Sequence, residues 1–185
     1  MQYQRESIEA MIAGRKSQTR RPVQESDRYY LASDPGGRPR FVRYLRGCPA
    51  KGWDVDRVER VDSAGRWRTL FSVGSRRAIC PGRGKKAVGH LVVKRIRLVP
   101  AERISDYDAK AEGLVWRPDL ECWVANVLGE PWAGLTASSC FGKVISVPFT
   151  QRASPTKFLW AIHWDDWAIK WVPAHARFFG YPNQY

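Results

Sequence analysis

The sequence predicts an α+β fold: a mixed β-barrel with about three flanking helices and hairpin insertions, in a single domain spanning 1–185. Three observations predict it. Two strand–turn–strand units follow one another between residues 29 and 73, and a run rich in Val, Leu and Ile extends over 87–99. Helical signals are confined to three shorter stretches. The chain is 44% hydrophobic and 12% aromatic, too apolar to stay disordered and apolar enough to build a core.

Taken in order, Ile8, Met11 and Ile12 fall at i, i+3 and i+4 and predict an amphipathic first helix. Gly14 stands where a left-handed C-cap is expected. The basic stretch Arg15-Lys16-Ser17-Gln18-Thr19-Arg20-Arg21 follows, and Pro22 blocks a continuing helix. Strands Tyr29–Leu31 and Phe41–Tyr44 flank the turn Asp34-Pro35-Gly36-Gly37. Strands Val55–Val61 and Trp67–Val73 flank Asp62-Ser63-Ala64-Gly65. The glycine-rich turn Pro81-Gly82-Arg83-Gly84-Lys85-Lys86 precedes one long strand from Ala87 to Val99.

Ser105 followed by Asp108 makes a capping box for a second helix ending at Gly113. The tryptophan-rich stretch from Trp116 to Trp132 reads as an irregular insertion, and Phe141–Phe149 as a strand. Ser154-Pro155 opens a third helix, running to about Val172, on which Trp160, Trp164, Trp167 and Trp171 share one face. That stripe suits packing against the barrel better than base stacking. His175–Tyr181 reads as a closing strand.

Charge narrows the function classes. Lysine and arginine number 31 against 18 acids, a net charge of +13. Arginine dominates the excess, and its planar fork suits phosphate and stacks on bases. A polyanion is therefore the expected partner. No run approaches the roughly 20 apolar residues of a membrane span. Arg5, Glu6 and Glu9 interrupt any signal-peptide apolar region, so a cytoplasmic location is expected. Cys48, Cys80, Cys122 and Cys140 show no C-x-x-C pair, and His90, His163 and His175 do not complete a ligand set. Free thiols are expected, with no metal and no cofactor.

Two stretches carry candidate chemistry. Lys16 and Thr19, three apart after a helix, can face one pocket. A lysine crowded by arginines suits base catalysis and could activate the threonine hydroxyl. The plainer alternative is a basic loop that contacts phosphate. Glu112 falls at the negative end of a helix dipole, where a carboxylate needs a partner, and Lys16 is a candidate. Arg15, Arg20, Arg21, Arg83, Lys85 and Lys86 are the candidate nucleic-acid contacts. The turn at 81–86 is not a P-loop, because Ile79 and Lys86 break its spacing.

Together these stretches resemble the ASCH branch of the PUA-like superfamily. The run from Ile8 to Arg21 looks like its N-terminal G-x-K-x-x-T-x-R signature. The run from Val73 to Leu91 is similar to its core strands in phage-encoded members, and Ile104 to Leu114 to its I-S-x-x-D-A-x-A-E-G helix. Phe158-Leu159-Trp160 and the closing strand fit more loosely.

The resemblance implies a PUA-like barrel with a cleft between barrel and helices, and insertions at about 24–66 and 115–140. Small bacterial members remove the acyl group from acetylcytidine, and relatives bind RNA. Lys16, Thr19 and Glu112 match that catalytic set: Thr19 as nucleophile, Lys16 as base, Glu112 in support. Ser75 departs from the pattern, standing after Gly74 where relatives often carry Asp. The resemblance thus implies binding of RNA or a modified nucleoside, with amidohydrolase activity as the alternative. Single-stranded DNA and a host protein are the other candidate partners. A phage origin would place the chain in the host cytoplasm.

Overall fold

The structure, a computed structural model, describes residues 3, 5–45, 52–82, 84–100, 105–127, 130–134, 158–165 and 170–171. Within them the fold is α+β and mostly β-sheet, with two α-helices. Helix α1 (Arg5–Ile12) buries Ile8, Ala10 and Met11. It ends as its glycine predicts. Gly14 has a φ of 65°, its N–H donates to the Met11 carbonyl and the Arg15 N–H to that of Ala10. This pair of bonds is a Schellman cap.

The main sheet contains β1 (Gln18–Pro22), β12 (Phe158–His163), β8 (Arg95–Pro100), β4 (Trp53–Val61), β2 (Arg28–Leu31) and β3 (Arg40–Phe41), in that order, with β5 (Trp67–Ser72) also on β4. All its pairings are antiparallel. β4 changes neighbour along its length: Trp53–Val55 pair with β8, and Arg57–Val61 with β5. Strands β6 (Arg76–Ile79), β7 (Gly89–Val92) and β13 (Lys170–Trp171) form a second sheet. Strands β9 (Val115–Arg117), β10 (Cys122–Val127) and β11 (Glu130–Gly134) form a third. Among the described residues these sheets are not closed into a barrel.

One face of the main sheet makes the core. Trp160 and Ile162 of β12, Ile96 and Leu98 of β8, Val55 and Val58 of β4 and Tyr29 of β2 pack with Ile8 and Met11 of α1. Trp160 and Ile162 are fully buried. Removing a side chain like that of Trp160 costs about 3–5 kcal/mol.

Four expectations are corrected. Residues 158–163 form a strand and not part of a helix. Phe158-Leu159-Trp160-Ala161-Ile162-His163 is a short apolar run packed on both faces, which periodicity cannot tell from a buried helix. The expected strand 87–99 is two strands in two sheets, broken at Val93 and Lys94. There the Lys94 N–H leaves for the His163 carbonyl and the Val93 N–H for that of Ser75. The stretch 116–132 is a three-stranded sheet, aligned by Trp116 against Trp123 at 5.6 Å, and not irregular. Strand 41–44 stops at Phe41 and continues as a 3-10 turn, Val42–Tyr44. The expected strands 141–149 and 175–181, with Trp167, lie outside the described residues.

The turn chemistry matches expectation. The Asp62 carboxylate accepts the N–H groups of Ala64 and Arg66, and Gly65 has a φ of 76°. The Ser105 hydroxyl accepts the Asp108 N–H, and the Asp108 carboxylate accepts the Ser105 N–H, closing the capping box of α2 (Asp106–Ala111). No helix among the described residues is long and apolar enough to cross a membrane.

Candidate functional site

Where α1 ends, the chain turns into β1, the edge strand of the main sheet. The end of α2 lies along that edge: the Ser17 N–H donates to the Ala111 carbonyl, and Lys16 bridges Glu112 in antiparallel fashion. Paired residues of an antiparallel bridge point to one face. Lys16 Nζ donates to the Glu112 backbone carbonyl at 2.7 Å and to Glu112 Oε2 at 3.0 Å. One ammonium therefore satisfies a terminal carbonyl of α2 and neutralises the carboxylate set against the helix dipole. Gly113, with a φ of 91°, makes this approach possible. A Cβ there would sit 3.3 Å from Ala10 Cβ and 3.4 Å from Lys16 Cβ.

Strand alternation extends the cluster. Gln18 Nε2 donates to Glu112 Oε1 at 3.2 Å. Arg20 pairs with Asp108 Oδ1 at 3.0 Å and lies 3.9 Å from Glu112 Oε1. Lys16, Gln18 and Arg20 are two apart and share one face of the strand. The cluster is almost dry: Lys16 is 5% exposed and Gln18 0%, and the Arg20 and Glu112 side chains are 3% and 6% exposed. Two cations face two carboxylates, so its formal charge balances. Burial pushes the Asp108 carboxyl up, but the Ser105 hydrogen bond and the Arg20 charge outweigh it and hold it below its ordinary range.

The same face continues across the sheet. Gln18 lies opposite His163, and Arg20 opposite Ala161; His163 in turn lies opposite Arg95, and Ala161 opposite Arg97. Burial, then the charges of Arg97, Arg95 and Arg20, pull the His163 imidazole down to about 4. It is neutral at pH 7. In this row Gln18 Oε1 and His163 Nε2 find no hydrogen-bond partner among the described residues.

The structure thus brings together two of the three residues expected as a catalytic set. Thr19 is buried on the other face of β1, in register with Ile162, itself opposite Ile96. The expected common pocket for Lys16 and Thr19 is corrected on this point. A spacing of three puts side chains together on a helix and on opposite faces of a strand.

The candidate phosphate contacts also divide. Arg15, Lys85 and Lys86 are exposed. Arg20 is held inside the cluster by Asp108, so its role as a surface contact is corrected. Arg21 is half-buried, with its guanidinium 5.6 Å from the Tyr3 ring centroid. Arg83 lies outside the described residues. Cys80 and Cys122 are free thiols, and Cys48 and Cys140 lie outside the described residues.

Sequence reasoning missed Gln18 and His163 as members of the site. Every residue from Arg15 to Arg21 is polar, so no alternation singled out Gln18, and His163 follows only from its register beside β1. No family model, no curated protein and no solved structure matches the chain.

Proposed function

We propose that the chain is an RNA- or modified-nucleotide-binding protein of the ASCH type, with a PUA-like arrangement of its sheets. The observation that carries this reading is the buried polar row on β1. Lys16 and Glu112 are locked together there, and Gln18 offers a carbonyl oxygen with no partner among the described residues. A fixed, buried acceptor suits the exocyclic or ring N–H of a nucleobase, because an unmet acceptor penalises ligands that lack a donor. The exposed cations Arg15, Lys85 and Lys86 suit phosphates.

The alternative, removal of an acyl group from a nucleoside such as acetylcytidine, needs Lys16 Nζ at the Thr19 hydroxyl. The two residues are on opposite faces of β1, and a general base must come within about 2.6–3.2 Å of the proton it takes. The Lys16–Glu112 pair alone favours that chemistry.

The test is a panel of acylated and unmodified nucleosides and short RNAs. Retention is read by equilibrium dialysis and acyl release by chromatography, across about pH 6–9. The expected result is saturable retention with the acyl group intact, lost in Gln18→Leu. Acyl release that disappears in Lys16→Ala would replace binding by catalysis. Absence of retention for every member of the panel would end both readings.

A further inference from the structure

A second surface is built on strands β2 to β5, far along the sheet order from β1. Its outward rows follow from the register. Phe41 lies opposite Arg28, and Arg28 opposite Glu59. Tyr30 lies opposite Arg57, and Val61 opposite Trp67. The inward rows carry Tyr29, Val55 and Val58 to the core. Alternation thus sends an arginine–aromatic set outward from the strands that supply the core.

The rings form a line. Phe41 sits 6.2 Å from Tyr44 and 6.0 Å from Trp67, edge to face in both cases. Guanidinium groups lie over them: Arg28 is 3.8 Å from the Trp67 centroid, Arg57 4.1 Å from that of Tyr30 and Arg43 4.8 Å from that of Tyr44. Glu59 is shared between Arg28 at 2.6 Å and Arg57 at 3.2 Å, one carboxylate for two cations. Rings serving only to fill the core would be covered, yet Tyr44 is 69% exposed and Trp67 38%.

We infer that this face is a stacking platform for single-stranded nucleic acid. Arg28 and Arg57 turn their Nε to Glu59, whereas Arg43, exposed beside the Tyr44 ring, can turn its N–H edge to a phosphate. Aromatic faces accept any base, so such a surface tracks a strand with little sequence preference. An acidic protein would match the charge but would leave the line of rings unused. The net charge of +13 supplies the attraction to a polyanion.

The test uses the full chain and fluorescein-labelled oligouridylate and oligothymidylate of about 12 nucleotides, within the usual site sizes for such surfaces. Binding is followed by anisotropy at several salt concentrations. Both probes are expected to bind with a steep salt dependence. Trp67→Ala and Tyr44→Ala should each weaken binding about tenfold, the scale of one lost base stack. Trp67→Phe should keep most of the affinity. Arg5→Gln removes one cation from α1, away from the platform, and sets the effect of charge alone. Should Trp67→Ala fail to fold by circular dichroism, Tyr44→Ala carries the test, because its ring is already in solvent. Wild-type affinity in a folded Tyr44→Ala protein would overturn the inference. So would failure to bind either oligonucleotide while binding polyglutamate, which would identify an acidic protein partner. Nucleoside retention is a separate measurement, so failure here leaves the reading of the β1 row to its own test.

Discussion

Two buried carboxylates, Asp27 and Glu112, each have both oxygens engaged but sit among different neighbours. Asp27 is fully buried, and both its oxygens are engaged. Oδ1 accepts from Arg60 Nε at 2.5 Å. Oδ2 accepts from Arg60 Nη2 at 2.8 Å, Trp160 Nε1 at 2.9 Å and the Gln24 N–H at 3.0 Å. This closed network ties the 22–27 turn to β4 and β12, which is a structural task. Around Glu112 the donors come from Lys16 and Gln18, and the row leaves Gln18 Oε1 without a partner among the described residues. Charges buried for packing are satisfied on all sides, and a polar row with a spare acceptor suits a ligand.

The strongest way to break this comparison is Asp27→Ala. It strips Arg60 and Trp160 of their acceptor, and loss of one partner from a buried pair costs about 3–5 kcal/mol. Urea unfolding should show that loss, with nucleoside retention by the remaining folded protein unchanged.

A cycle on the other carboxylate comes next. Lys16→Met leaves Glu112 with Gln18 and the more distant Arg20, and Glu112→Leu leaves Lys16 without its carboxylate; each should cost about 3 kcal/mol, whereas the double variant should cost less than either. Thermal unfolding of the three variants measures this. A double variant as unstable as the sum of the singles would show that the pair acts independently and break the comparison.

The smallest effect sharpens it by pH. Folded His163 gains a proton only near pH 4, against an ordinary value of 6.5. Between those values the unfolded chain binds more protons, so stability is fully present above about 6.5 and falls as the pH drops towards 4. The loss should be on the order of 2–3 kcal/mol, and His163→Gln should flatten the curve in that window. Carboxylates such as Asp54, held low first by its hydrogen bond with Arg95, act at still lower pH.

Local chemistry was legible in the sequence wherever one residue fixes one bond. Gly14 as a C-cap, Ser105 and Asp108 as a capping box and Asp62 in its hairpin turn all stand where their side chains require. The meeting of Lys16 with Glu112 was anticipated because a carboxylate at a helix end needs a cation. Thr19 was misplaced because its face depends on β1 being a strand, which is set by pairing with β12, well over a hundred residues away. β12 was hidden by tryptophan spacing. Trp160 and Trp164 are both buried, but one lies within a strand and the other just beyond it, so helical periodicity had no helix to describe. The platform on β2 to β5 was invisible for a related reason, since only cross-strand register puts Phe41, Arg28 and Glu59 in one row.

The end of α2 along β1 has a consequence for colloidal behaviour. A sheet edge with free N–H and C=O groups recruits strands from other molecules. On β1 that edge is partly occupied: Ala111 takes the Ser17 N–H, Glu112 bridges Lys16, and Pro22 has no N–H to give. At the opposite margin β3 is two residues long before Val42–Tyr44 coils away. Among the described residues these two margins therefore offer little template for edge-to-edge growth, while the six-residue β5, paired with β4, is a third margin, and a change that pulls α2 off β1 would expose a further docking edge.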